Sequence, residues 1–136
     1  MNYDEARDFF LKRPEAEEDY PFGPGVAVYK ISGKMFATLS DRSRSGAGAN
    51  AEGDTPAQMN LKCDPDEAHA LRDMYAAVVP GYHMNKKHWN TVILDGSIPQ
   101  GQIELMIERS YALVVKGLKK ATRQALELRH GEALYG

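Results

Sequence analysis

The densest group of polar, charged and aromatic side chains in the sequence is Tyr82-His83-Met84-Asn85-Lys86-Lys87-His88-Trp89-Asn90-Thr91-Val92. It holds two lysines, two histidines, two asparagines and the only tryptophan. Such a set suits an anion. Lys86 and Lys87 supply charge, Asn85 and Asn90 supply amide hydrogen bonds, and Trp89 or His88 can stack on a base. A purely structural reading stands beside this one, with Trp89 as a core anchor and Asn85 as a turn cap.

Other chemistry has little support. The four histidines are His69, His83, His88 and His130, and no two have the i, i+4 spacing of a helical metal site. His83 and His88 can converge, but Asp95 is the only carboxylate near them, so no metal site is expected. Cys63 falls on the apolar side of its strand with Met59 and Leu61, which favours a buried, inert thiol over a nucleophile. Neither a nucleophile elbow nor a phosphate-cradling glycine loop occurs; Gly23-Pro24-Gly25 precedes a strand rather than a helix. No enzymatic activity and no cofactor are expected.

The elements that must hold these residues can be read from periodicity. Asn2 and Glu5 have capping-box spacing, and Ala6, Phe9 and Phe10 follow helical spacing up to Pro14. The acidic run of Glu15, Glu17, Glu18 and Asp19 reads as a solvated linker. Val26 to Ile31 and Met35 to Leu39 read as a hairpin, and matching of faces favours a three-residue connection over Ser32-Gly33-Lys34. Residues 42–56, starting near Arg42 and Arg44 and rich in glycine and alanine, read as a mobile insertion. Gln58 to Cys63 alternates as a strand, with Lys62 and Asn60 opposite the apolar side.

Asp64-Pro65-Asp66-Glu67 then opens a helix, with Glu67 completing a capping box. Its stripe is Ala68, Leu71, Met74, Tyr75 and Val78, and Pro80-Gly81 stops it. His88 to Leu94 is a strand with Trp89, Thr91 and Ile93 on one side and His88, Asn90 and Val92 on the other. A long helix from Pro99 to Leu118 carries Ile103, Met106, Ile107, Tyr111, Val114 and Val115 inward. The expected class is α+β: an antiparallel sheet with helices mainly on one face. The expected organisation is one domain over residues 1–118, followed by a basic C-terminal helix or tail over residues 119–136.

Charge and composition narrow the function. The 136 residues carry 17 basic and 19 acidic side chains, net −2, with 43% hydrophobic residues. This is ordinary globular usage, and it argues against a surface that grips nucleic acid all round. A local basic face is allowed: between Gly25 and Cys63 basic residues outnumber acidic ones five to three, and Lys116, Lys119, Lys120, Arg123 and Arg129 can extend it. With one cysteine, no long apolar run and an acidic N-terminus, a cytoplasmic protein without membrane spans is expected.

Three groups of residues are familiar. They are Pro80-Gly81-Tyr82-His83-Met84-Asn85-Lys86-Lys87-His88-Trp89-Asn90-Thr91-Val92, Leu94-Asp95-Gly96-Ser97-Ile98-Pro99, and Ser110-Tyr111-x-Leu113-Val114. With Gly33-Lys34-Met35-Phe36-Ala37 and Asn60-Leu61-Lys62-Cys63-Asp64-Pro65, they closely resemble the MmcQ/YjbR-like family over about residues 3–118. The resemblance implies a YjbR-like α+β fold similar to type III secretion chaperones. It also implies a "double wing" arrangement associated with DNA binding, and no enzymatic activity. On that reading Lys30, Lys34, Lys62, Lys86 and Lys87, with Arg42 and Arg44, contact phosphates, while Asn85, His88, Trp89 and Asn90 position or stack. A protein-interaction or chaperone-like module that extends its sheet through a dimer, and a small anion or nucleotide sensor, are the alternatives.

Overall fold

The computed structural model describes residues 1–41, 56–81 and 85–135. Arg42, Arg44, the insertion expected there and His83 lie outside the described residues. The first helix, α1 (Tyr3–Leu11), begins with the expected capping box. The Asn2 side chain accepts the Glu5 N–H at 2.9 Å, and the Glu5 carboxylate accepts the Asn2 N–H at 3.1 Å. Its inward residues are Ala6 and Phe10, while Phe9 is only partly buried.

Six strands form one antiparallel sheet: β1 (Glu17–Asp19), β2 (Val26–Ile31), β3 (Lys34–Ser40), β4 (Gln58–Lys62), β5 (Val78–Pro80) and β6 (Trp89–Ile93). Their spatial order is β1-β2-β3-β4-β6-β5. Among the described residues four helices flank the sheet: α1, α2 (Pro65–Met74), α3 (Gln100–Lys116) and α4 (Lys120–His130), the last followed by a 3-10 turn over Gly131–Tyr135. The α+β class read from periodicity is the one observed.

Register explains the two faces of the sheet. Ala27, Leu39, Met59, Val92 and Val78 stand side by side across five strands. They point to the helices and are buried. The α3 stripe of Ile103, Met106, Ile107, Tyr111, Val114 and Val115 packs onto that face, as its 3.6-residue spacing requires. A chain of aromatic rings ties the layers together. Phe10 stacks on Tyr29 at 4.6 Å, and Phe36 meets Tyr111 edge-on at 5.2 Å. The opposite face carries a polar row in which Thr91 Oγ1 donates to Asn60 Oδ1 and Asn60 Nδ2 donates to Thr38 Oγ1.

Several local expectations are corrected. The β2–β3 connection has two residues, not three: Ile31 pairs with Lys34, and Ser32 and Gly33 both have positive φ, as in a type I′ turn. Tyr29 still faces Ala37, because a bulge inserts Phe36 as an extra residue on β3. Phe36 and Ala37 thus both reach the core. The acidic run is no linker; Glu17–Asp19 is an edge strand on β2. Its neighbours neutralise it. Glu18 accepts from Arg7 at 2.8 Å and from Tyr29 Oη at 2.8 Å, and Glu15 accepts from Arg129 at 2.7 Å and contacts His130 at 2.6 Å.

α2 stops at Met74, four residues short of the expected stripe, and Val78 begins β5 instead. Pro80, lacking an N–H, is tolerated because β5 is an edge strand. Asp64 caps α2 by accepting the Asp66 N–H at 3.0 Å, but the Glu67 carboxylate accepts from Arg109 on α3 instead of closing a capping box. Beyond α3, Leu126 and Leu134 are buried in the same core as the sheet.

Candidate nucleic-acid interface

The antiparallel order brings one end of β2, β3, β4 and β6 together. Lys30 pairs with Met35, Ala37 with Leu61, and Lys62 with Trp89. Lys30, Met35, Lys62 and Trp89 therefore share the helix-free face at the end where the β2–β3 hairpin turns. Strands spaced about 4.8 Å apart set the Lys30 and Trp89 backbones about 14 Å from each other. The middle of that face offers little surface, since Val28, Thr38 and Thr91 are only 1%, 6% and 5% exposed. At the hairpin end Lys34, Lys86 and Lys87 are exposed, Lys34 across from the core residue Ile31, and Lys62, Trp89 and Met35 are half-buried; at the far end Gln58 is exposed as well.

The cations differ in availability. The Lys30 ammonium lies 3.3 Å from Asp19 Oδ2, so its charge is already matched within the sheet. Lys34, Lys62, Lys86 and Lys87 form no ion pair among the described residues.

Both asparagines hold backbone or side chains of this segment. Asn85 Oδ1 accepts the Lys87 N–H at 3.0 Å, and the Asn85 carbonyl accepts the N–H groups of His88 and Trp89 at 3.1 and 2.9 Å. Asn85 thereby builds the turn that presents Lys86 and Lys87. Asn90, expected at the ligand, is only 2% exposed and faces the helices, because it pairs with Leu61 on the core side of β6. Its Oδ1 accepts from Arg72 Nε at 2.7 Å, and its Nδ2 donates to the Ala68 carbonyl at 3.5 Å. His88 is half-buried, and its carbonyl accepts the Cys63 N–H at 2.7 Å. Trp89 points to the helix-free face across from Lys62 and is not part of the main core cluster.

Arg72 is the residue that the residue-by-residue reading overlooks. From α2 its guanidinium donates to Asn90 Oδ1, to the Lys86 carbonyl and to the Trp89 carbonyl, the last at 3.4 Å. The available signal was its place one helical turn after the buried Ala68, on the side of α2 that meets β6. Gly81 holds the same strand end from the other side by donating its N–H to the Trp89 carbonyl at 2.9 Å.

Burial, with help from Glu67 and Asp64, pushes the Cys63 thiol up to about 11, so it is protonated and weakly nucleophilic at neutral pH. The cavity beside it, lined by Leu61, Leu71, Asn90 and Met106, holds about 20 Å³, room for roughly one water. Among the described residues no three His, Cys, Asp or Glu side chains are grouped to hold a metal, and no helix is long and apolar enough to cross a membrane.

An antiparallel sheet with one helix-covered face, an edge strand tied to α1 by the Arg7–Glu18 ion pair and a long α3 across its middle defines a compact α+β class. That class has solved members. The Deinococcus radiodurans protein DR2400, a DUF419 domain, superposes with a TM-score of 0.77 at 32% identity, over 92% of this chain and 87% of that one. A Pseudomonas syringae protein superposes with a TM-score of 0.67 at 33% identity, over 83% of this chain and 98% of its own. The YjbR family model matches residues 11–113, and the chain belongs to the YjbR family. Among its relatives, the uncharacterised Escherichia coli O157:H7 protein YbdF is 37% identical over 87% of this chain and 88% of its own length. The uncharacterised YjbR of Escherichia coli K12 is 29% identical over 93% of this chain and 98% of its own.

Proposed function

We propose that the chain is a non-enzymatic DNA-binding protein that grips phosphates with the hairpin end of its sheet. Lys34 at the start of β3, Lys62 at the end of β4, and Lys86 and Lys87 on the turn before β6 contact the backbone. Trp89 packs its half-exposed indole against a base or sugar. One observation carries this reading: among the described residues four cations without carboxylate partners, from three separate segments, lie at one end of one sheet, Lys34 across from Ile31 and Lys62 across from Trp89. Lys30 is left out because Asp19 already holds it, and Asn90 because it is buried against Arg72.

The test compares the quadruple variant K34Q/K62Q/K86Q/K87Q with the control K116Q/K119Q/K120Q, using a fluorescein-labelled duplex of mixed sequence. The first is expected to lose roughly a hundredfold or more in affinity at low salt, and the control to stay within about threefold of wild type. Equal losses from both variants contradict the assignment of the interface.

A further inference from the structure

Arg72 lies on α2, outside the group of exposed lysines, and yet it touches the segment that carries two of them. Its guanidinium donates to the Lys86 carbonyl, to the Trp89 carbonyl and to the Asn90 side chain. The acceptors belong to residues spread across one turn, and only a planar fork of donors can reach them together. The same turn is closed from within by Asn85, which accepts the N–H groups of Lys87, His88 and Trp89. The exposed Lys86 and Lys87 ammonium groups form no ion pair among the described residues, so their placement depends on the backbone beneath them.

We infer that Arg72 is a positioning residue for the DNA-binding surface: it touches no ligand, and it orders the Asn85–Trp89 turn so that Lys86 and Lys87 present a fixed pair of charges. The inference rests on the DNA-binding reading for its consequence and on the guanidinium contacts for its cause. Nε and Nη2 are committed to protein oxygens, so those donors hold the turn rather than a phosphate.

The experiment uses the full chain, Arg72→Gln, Arg72→Lys, K86Q/K87Q, and the combination of Arg72→Gln with K86Q/K87Q. Binding to the labelled duplex is measured over a range of salt, and amide hydrogen exchange is measured in the free proteins. Arg72→Gln is expected to lower the slope of log K against log salt by up to about 1.8, the share of two phosphates. It is expected to add nothing once Lys86 and Lys87 are gone. Arg72→Lys keeps the charge but not the fork, and is expected to behave like Arg72→Gln. In both single variants the amides of Lys87, His88 and Trp89 are expected to exchange about tenfold faster or more.

An equal further loss of binding in the K86Q/K87Q background would make Arg72 a direct contact and overturn the inference, as would wild-type behaviour of Arg72→Lys. If the wild-type protein binds no duplex, the DNA-binding reading fails. The exchange data then decide the positioning role alone, and unchanged protection of the turn overturns it.

Discussion

The Ser110 hydroxyl donates to the Phe36 carbonyl at 2.6 Å across a separation of 74 residues. It also accepts the Lys62 N–H at 2.8 Å. Ala37 pairs with Leu61, so Phe36 and Lys62 would form the next rung between β3 and β4. The bulge at Phe36 opens that rung, and a side chain from α3 fills it. The contact anchors the helix to the sheet beside Lys62. Ser110→Ala leaves a buried carbonyl and a backbone N–H without partners, which is expected to cost about 1–3 kcal/mol. The check is a urea titration, with the midpoint falling and the slope unchanged. An unaltered midpoint would mean that the two strands can close the rung themselves.

Gly81 allows the closest backbone approach near the candidate interface. A Cβ at this position would lie 2.9 Å from both the Cβ and the carbonyl oxygen of Trp89. The neighbour is the backbone of β6 and cannot swing aside. Gly81→Ala is therefore expected to destabilise the fold by about 1–3 kcal/mol and to shift Trp89 emission. Unchanged melting together with unchanged emission would contradict the packing described.

The C-terminal helix is bound by its apolar side chains. Leu126 and Leu134 are buried in the core shared with the sheet, and Arg129 and His130 reach Glu15. Leu126→Ala is expected to cost about 2–5 kcal/mol. A chain cut after Leu118 would expose the core residues these leucines cover, and is expected to lose its cooperative thermal transition. A truncated chain melting like the full one would contradict this.

Acid should act mainly through the ion pairs of the first twenty residues. Burial opposes the charge of Glu18, but hydrogen bonds from Arg7 and Tyr29, with the charge of Arg7, outweigh it and hold the carboxyl below its ordinary 4.5. Glu15, hydrogen-bonded by Arg129 and His130, and Asp19, bonded by the Tyr20 N–H and Lys30, are lowered too. When the folded value is the lower one, the unfolded chain takes up protons first as pH falls. The stabilisation is complete above the unfolded value and disappears as pH drops through the folded one. Melting temperature is expected to be flat down to about pH 5 and then to fall. Glu18→Gln is expected to melt lower at neutral pH and to show a shallower acid decline. A decline as steep as that of wild type would contradict a role for Glu18.

What could be read in advance followed from the reach of each physical signal. The α3 stripe repeats over more than three turns, and the Asn2–Glu5 cap is a local contact, so both were visible in the sequence. β1 was hidden because Glu17-Glu18-Asp19 has no apolar alternation; its partners Arg7 and Lys30 lie in other elements. β5 was hidden because Val78 continues the spacing of α2 even though the helix ends at Met74. The hairpin misled because two compensating irregularities, a shorter turn and the Phe36 bulge, give the same Tyr29–Ala37 pairing as one longer loop. At the interface, the placement of Lys62 opposite the apolar side of β4 followed from period-two alternation. In β6 the same alternation separated Trp89 from Asn90 without saying which side is buried; the pairing of Asn90 with Leu61 and its bond to Arg72 decide that, and both join residues that only the tertiary fold brings together.

The DNA-binding reading meets its most direct test in the salt dependence of wild-type binding to a labelled duplex. Four neutralised phosphates give a slope of log K against log salt near −3.6, and the affinity should fall about 150-fold between about 50 and 200 mM salt. A flat response, or no binding even at the lowest salt, would contradict the assignment of Lys34, Lys62, Lys86 and Lys87 to phosphates.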